Sequence, residues 1–217
     1  MPNAIKFLYD GMIQNDAVLS IGGWEDVDDS GNLRKCRKVK KCYDSYETLK
    51  SFFDEKYFKA VIWGKLYKKD VIGNFEFDKN LCIAEDVDFL YRILKNVNRT
   101  VIDTTNIIYQ YRVRQTSAMR AKYDSKFEDE IELTEKMIED VKHQYPELEK
   151  YAIRRYQRVN VSCLGKYYRE NGSLEGVKHL IGNIRKYNNN LELKYNIRFL
   201  LLVYCRPLLK LIIALKK

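Results

Sequence analysis

Apolar positions recur at helical spacing in several stretches of the chain and in runs or alternation in others. Ile5, Leu8, Tyr9 and Met12 form a stripe over residues 4–13, with Pro2 or Asn3 as the start signal, so a helix is predicted there. The run Ala17-Val18-Leu19, followed by Ile21, predicts a buried strand over 16–24 whose end Gly22-Gly23 would loosen. A helix over 46–53 is entered from Asp44 or Ser45. Residues 59–67 read as a strand leading into a turn, and Phe75 and Phe77 alternate as in a short strand or an extended loop. Val87, Leu90, Tyr91 and Leu94 then sit at i, i+3, i+4 and i+7, behind the acidic pair Glu85-Asp86. Two short strands are expected at 100–102 and 106–111.

From Lys126 the pattern changes to long helices. Ile131, Thr134, Ile138 and Val141 mark one over 127–143, a second follows over 148–168, and a third over 174–187. Asn171-Gly172 and the run Asn188-Asn189-Asn190 separate them. The last stretch, 197–217, carries five basic residues and no acid, and Pro207 divides it into two apolar pieces. Lying in a lipid headgroup region with its cations toward anionic lipid is one reading, and a packed helix or oligomer contact is the other.

Charge sharpens this division. Residues 151–217 hold 14 Lys and Arg against 3 Glu, a net of +11, whereas residues 1–150 carry a net of −2. Any reading that needs a polyanion or a membrane therefore belongs to the C-terminal third. The chain has 217 residues, 46% of them hydrophobic, enough for a domain core with a helical appendage and too many for wholesale disorder. Five cysteines, an odd number, match no zinc or CxxC spacing. With no signal peptide, they imply reduced thiols on the cytoplasmic side. No apolar run reaches the roughly 20 residues of a membrane span.

Several patterns carry candidate chemistry beside a plain structural reading. Asp26-x-Asp28 is a carboxylate pair of the kind that shares a cation, yet Asp29-Ser30-Gly31-Asn32 is turn chemistry joining two strands, the stronger reading. The basic cluster at 34–41 matches no nucleic-acid module and reads as a solvated, flexible edge. Asp86 and Asp88 lie in the first turn of a helix, where carboxylates cap free N–H groups and favour the positive end of the helix dipole. Arg112 and Arg114 alternate on an extended segment, so they point to one side, either clamping phosphates or facing water.

Taken together, Trp63-Gly64-Lys65-Leu66-Tyr67, Phe77, Glu85-Asp86-Val87-x-Phe89 and Tyr109-x-Tyr111-Arg112-x-Arg114-x-x-Ser117 resemble the second half of the bacterial family-2 glycosyltransferases that build capsular, exopolysaccharide or cell-wall glycans. The resemblance runs from about residue 3 to about residue 140. It implies an α/β fold: a partial, GT-A-like mixed sheet in residues 1–122, followed by a basic helical region in 123–217 with an amphipathic tail. By motif position it implies Asp86 as the base that takes the acceptor hydroxyl's proton, with Glu85 as its partner. Trp63 is implied on the sugar side, and Lys65, Arg112 and Arg114 beside the leaving diphosphate.

The family's opening strand, Asp-rich nucleotide-binding segment and metal-holding carboxylate pair have no counterpart ahead of this block. A truncated gene, a split gene and a start codon placed too late each account for that. The expectation is an acceptor-side part with little transferase activity by itself, so whether this chain is an enzyme is left open. Mg or Mn is expected for the full-length family member and no metal or other cofactor for this chain. The implied partners are a nucleotide-sugar, a glycan acceptor and the inner face of the plasma membrane, with a partner chain or oligomer to complete the sheet. No nucleic acid is expected. The alternatives are a non-catalytic basic module for a membrane surface or nucleic acid, and a remnant that folds poorly because a sheet edge is exposed.

Overall fold

The computed structural model describes residues 1–28, 31–114, 123–169, 174–187 and 191–205. The chain forms two compact units, Met1–Ala121 and Lys122–Lys217.

The first unit is a five-stranded mixed sheet with helices. Helix α1 (Ala4–Gln14) leads into β1 (Leu19–Asp28), the strand on which the sheet is built. β1 pairs in parallel with β5 (Arg99–Arg112), which pairs antiparallel with β3 (Lys40–Asp44). The other edge of β1 carries two short antiparallel partners end to end. β4 (Lys65–Tyr67) lies along Leu19–Ile21, and β2 (Gly31–Lys35) along Glu25–Asp28. Between these strands lie α2 (Ser45–Asp54), the single turn α3 (Lys69–Ile72) and α4 (Glu85–Leu94). The core is apolar where β1, β5, α2 and α4 meet, with Leu19, Ile21, Leu49, Phe52, Leu90, Leu94 and Ile102 each at most 1% exposed.

The helix ends follow local chemistry. The Asp44 carboxylate accepts from the Glu47 amide at 2.8 Å, an N-cap that fixes the start of α2. The hairpin reading of Asp28 to Gly31 agrees with the pairing of those two residues across β1 and β2. Arg34, Lys35, Arg37, Lys38, Lys40 and Lys41 are exposed, and β2 and β3 stand at the two ends of the strand order.

Three expectations are corrected. Gly22-Gly23 does not end β1; the strand runs on to Asp28. The two glycines are needed because β5 bulges toward them: its register against β1 jumps from Asp103 to Ile107 between Gly22 and Gly23. A Cβ on Gly23 would stand 2.4 Å from the Asn106 carbonyl oxygen, and one on Gly22 2.4 Å from Ile108. Second, the bulge keeps β5 continuous across 103–105, so the two expected strands are one. Third, residues 60–64 are bends and only Lys65–Tyr67 pair as a strand.

The second unit is helical: α5 (Phe127–Gln144), α6 (Glu149–Arg169), α7 (Lys178–Lys186) and α8 (Leu193–Tyr204), with 3-10 turns at Pro146–Leu148 and Leu174–Val177. Ile131, Thr134, Ile138 and Val141, the predicted stripe of α5, are all buried. Three cations of α6 are turned inward. Arg155 reaches Glu130 at 3.9 Å, Arg158 pairs with Glu192 at 3.2 Å, and Lys166 stands 3.8 Å over the Phe127 ring. Gln157 is also buried and donates to the carbonyls of Ile184 and Tyr187, both at 2.7 Å, closing the C-terminal end of α7. All five cysteines are free thiols, and burial pushes the Cys163 thiol up to about 12. Among the described residues no helix is long and apolar enough to cross a membrane.

Candidate active site

The candidate residues of the first unit gather around the segment 55–67 and the first turn of α4. β4 is three residues long, and strand alternation sends Lys65 and Tyr67 to the same side. Lys65 as a whole is half-buried, but its ammonium is enclosed. It donates to the carbonyls of Val61 at 2.5 Å, Lys59 at 3.2 Å and Trp63 at 3.4 Å. One side chain thus holds three backbone acceptors that no strand pairing satisfies. The Glu55 carboxylate adds a second tie, accepting from the Ala60 amide at 3.1 Å.

Asp86 interacts electrostatically with both β4 side chains. Burial raises its carboxyl above the usual range, and Glu85 next to it raises it further. Its own amide, that of Val87 and the Lys65 charge pull the other way. Burial pushes Lys65 down to about 7, opposed by Asp86 and then Glu55. The Tyr67 hydroxyl is held well above its ordinary range, by burial first and by Asp86 second. An acid biased toward its neutral form and a lysine biased toward its neutral form are therefore electrostatically coupled. Pairs of this kind concentrate at functional sites, although structural networks also produce them.

Helix α4 is anchored behind this group. Ala84, its N-cap, has a left-handed backbone (φ 64°). Phe77 stacks on Phe89 with ring centroids 4.3 Å apart. Arg92 binds Asp88 at 2.7 Å and donates to the Glu76 carbonyl at 2.7 Å, so the loop carrying Phe75 and Phe77 is tied to the helix.

Trp63 is in an aromatic cluster. It stacks on Tyr109 at 4.3 Å and 11°, lies 5.6 Å from Tyr111, and meets Trp24 edge-on at 6.4 Å. Lys59 sits among them, 3.8 Å over Trp24, with its ammonium 2.7 Å from Asp26. At least one indole face is thus covered by tyrosine rather than open to a sugar. Asp26, one half of the Asp26-x-Asp28 pair, is neutralised by Lys59.

Arg112 is not on this face. It stands next to Tyr111 in β5 and opposite Val27 of β1, so alternation sends it to the other side of the sheet from Tyr109 and Tyr111. Arg112 and Arg114 are both exposed, and Ser117 lies outside the described residues. The structure thus couples Asp86 electrostatically to Lys65, places Glu85 next to Asp86 in the first turn of α4, and links Trp63 to Lys65 through the segment that Lys65 holds. It also adds Tyr67, Glu55 and Lys59, which sequence reasoning missed. Period-two spacing from Lys65 was a signal for Tyr67; nothing in the sequence marked Lys59 or Glu55.

The divalent metal that the resemblance implies needs several carboxylates on one point. Among the described residues no three His, Cys, Asp or Glu side chains come together that way, and Asp26 is already paired with Lys59, so these residues do not fit the ion.

No protein-family model matches the sequence, and no curated protein matches it. Solved structures do match. One is the crystal structure of Staphylococcus aureus TarS 1–349 in complex with UDP-GlcNAc, at 14% identity and a TM-score of 0.58. The match covers 94% of this chain and 60% of the TarS chain, so the protein spans less than two thirds of the structure it resembles. At this identity the likeness concerns the fold: the chain has a partial glycosyltransferase-like fold, with a mixed sheet and helices.

Proposed function

We propose that this chain supplies the acceptor side of a glycosyltransferase of the family-2 type, with Asp86 as the base. The observation that carries the reading is the half-buried Asp86 carboxylate at the N-terminus of α4, electrostatically coupled to Lys65 and Tyr67, in a glycosyltransferase-like fold. In this reading a sugar leaves its nucleotide diphosphate as an acceptor hydroxyl attacks the anomeric carbon. The acceptor oxygen loses its proton to Asp86 while the glycosidic bond forms and the diphosphate departs. A carboxyl raised by burial takes up a proton more readily than an ordinary one, and the Glu85 charge helps keep it raised.

Lys65 is a positioning residue here. It shapes the 59–63 segment that carries Trp63, and its charge tempers the pKa of Asp86. Arg112 and Arg114 belong to this reading as diphosphate ligands only if the diphosphate reaches the opposite sheet face, which makes them its weakest part. TarS binds UDP-GlcNAc; a nucleotide-sugar of that class is the proposed donor, and a growing envelope glycan the proposed acceptor. Donor and metal are held, in this proposal, by residues other than those described.

The experiment follows from that dependence. Asp86→Asn is introduced at the native locus, where whatever completes the site is present, and envelope glycans are profiled by mass spectrometry. The expected result is loss of a glycosyl addition at undiminished protein abundance. An unchanged glycan profile at equal abundance sinks the reading. The nucleic-acid reading gains no support from geometry, because three cations of the basic helix α6 are turned into the second unit's own packing.

A further inference from the structure

We propose that the outer face of α8 is a docking surface for an anionic membrane. α8 turns Phe199 and Leu202 inward and leaves Leu193, Ile197, Leu200 and Tyr204 exposed, at 75%, 49%, 46% and 67%. At about 100° per residue these four fall within an arc of about 60°, roughly opposite the buried pair. They form one continuous apolar stripe along the helix, not scattered surface residues.

The charge around the stripe selects the occupant. Glu192 is the sole acid in residues 191–217, and it is already engaged by Arg158 at 3.2 Å and Lys194 at 3.5 Å. Lys194 flanks the stripe and is 70% exposed. Arg185 of α7 donates to the Tyr204 hydroxyl at 2.5 Å, which sets a guanidinium beside the tyrosine at the end of the stripe. Beyond the helix the sequence adds Arg206, Lys210, Lys216 and Lys217 with no acid. An apolar stripe rimmed by cations, with a tyrosine at its margin, fits the boundary between acyl chains and anionic headgroups.

Twelve residues make a helix of about 18 Å, shorter than the roughly 30 Å hydrocarbon core, so α8 lies on the surface and does not cross it. A second apolar stripe on α1, Ile5, Tyr9 and Ile13, lacks this rim. Its Lys6 is matched by Asp10 on the same helix at 2.7 Å, whereas α8 itself carries two cations and no acid.

The test is flotation of the full chain with phosphatidylcholine vesicles, with and without about a third phosphatidylglycerol. Binding is expected on the anionic vesicles, about tenfold or more weaker on the neutral ones, and weakened by salt. Ile197→Glu/Leu200→Glu is expected to cut anionic-vesicle binding about tenfold or more, with the melting temperature held because both positions are exposed. Leu193→Ser, at the most exposed position, is expected to weaken it by several-fold, about the effect of one apolar side chain. Absence of binding to anionic vesicles overturns the proposal, and so does undiminished binding by the Glu variants. Concentration-dependent dimerisation that those variants abolish, without vesicle binding, assigns the stripe to a second copy and overturns it too. The inference does not rest on sugar transfer: Asp86→Asn is expected to leave vesicle binding unchanged.

Discussion

The two units bury cations in opposite ways. In the sheet unit, the Lys65 ammonium is enclosed by three backbone carbonyls beside Asp86, and each of the two groups is biased toward its neutral form. In the helical unit, Arg155 and Arg158 have glutamate partners and Lys166 an aromatic face. A buried positive charge is therefore not by itself a sign of chemistry. In the helices it joins one element to another; at β4 it is coupled to an acid whose ionisation it alters. The cost of removing a charge without its partner is stability in the first case and a shifted titration in the second.

The largest effect expected is on transfer. Under the proposed function, Asp86→Asn lowers the rate per protein about a thousandfold, within the range for loss of a general base. The fold should survive, since asparagine keeps the shape and removes a charge the site disfavours. A raised carboxyl binds its proton more tightly folded than unfolded, so its ionisation costs stability as pH rises through the folded pKa. Asp86→Asn is accordingly expected to melt no lower than the parent at neutral pH. Calorimetry beside the rate assay checks both halves.

Next in size are two purely structural substitutions, one in each unit. Gly23→Ala drives a methyl against the Asn106 carbonyl where β5 bulges over β1, and about 3 kcal/mol of destabilisation is expected, read by urea unfolding. Gln157→Leu leaves the Ile184 and Tyr187 carbonyls without their donor, at a cost of about 2 kcal/mol by the same measurement. A loss of transfer with Gln157→Leu at full folding would break the contrast between the units.

More discriminating is Lys65→Met, which also leaves three carbonyls without their donor, so the readout that separates it is titration and not stability. Lys65 lowers the Asp86 pKa, so its removal should raise that pKa and move the acidic limb of the rate profile to higher pH. Carboxyl NMR titration reads the shift directly; an unmoved Asp86 would separate the two groups. Smallest is Lys186→Ala. It removes an exposed pair with Glu135 at 2.8 Å and should cost well under about 1 kcal/mol.

Much of the fold was legible because its signals are local. The Asp44 cap, the stripe behind Glu85-Asp86 and the α5 pattern each depend on residues within a few positions of one another, and the helices stand where those patterns predict. β5 was misread as two strands because its interruption is a bulge that only the neighbouring strand closes. Residues 60–64 read as strand from their apolar run, yet they form no ladder beyond the Gly64 carbonyl that accepts from the Gly22 amide; Lys65 and Glu55 hold the rest of their backbone. For the candidate site, the motif singled out Asp86, Lys65 and Trp63, but not that Trp63 would be stacked on Tyr109, nor that Arg112 would face away from that cluster.

The sequence by itself determined the order of elements, most helix limits, the basic C-terminal third and the acidic first turn of α4. All of these are set by periodicity, capping and composition within short windows. Only the tertiary structure decided which groups meet. It turned three cations of α6 inward, coupled Asp86 to Lys65 and Tyr67, matched Gly22-Gly23 to a bulge some eighty residues later, and left the α8 stripe outside. Burial and electrostatic coupling are sums over neighbours distant in sequence, and no local pattern contains them.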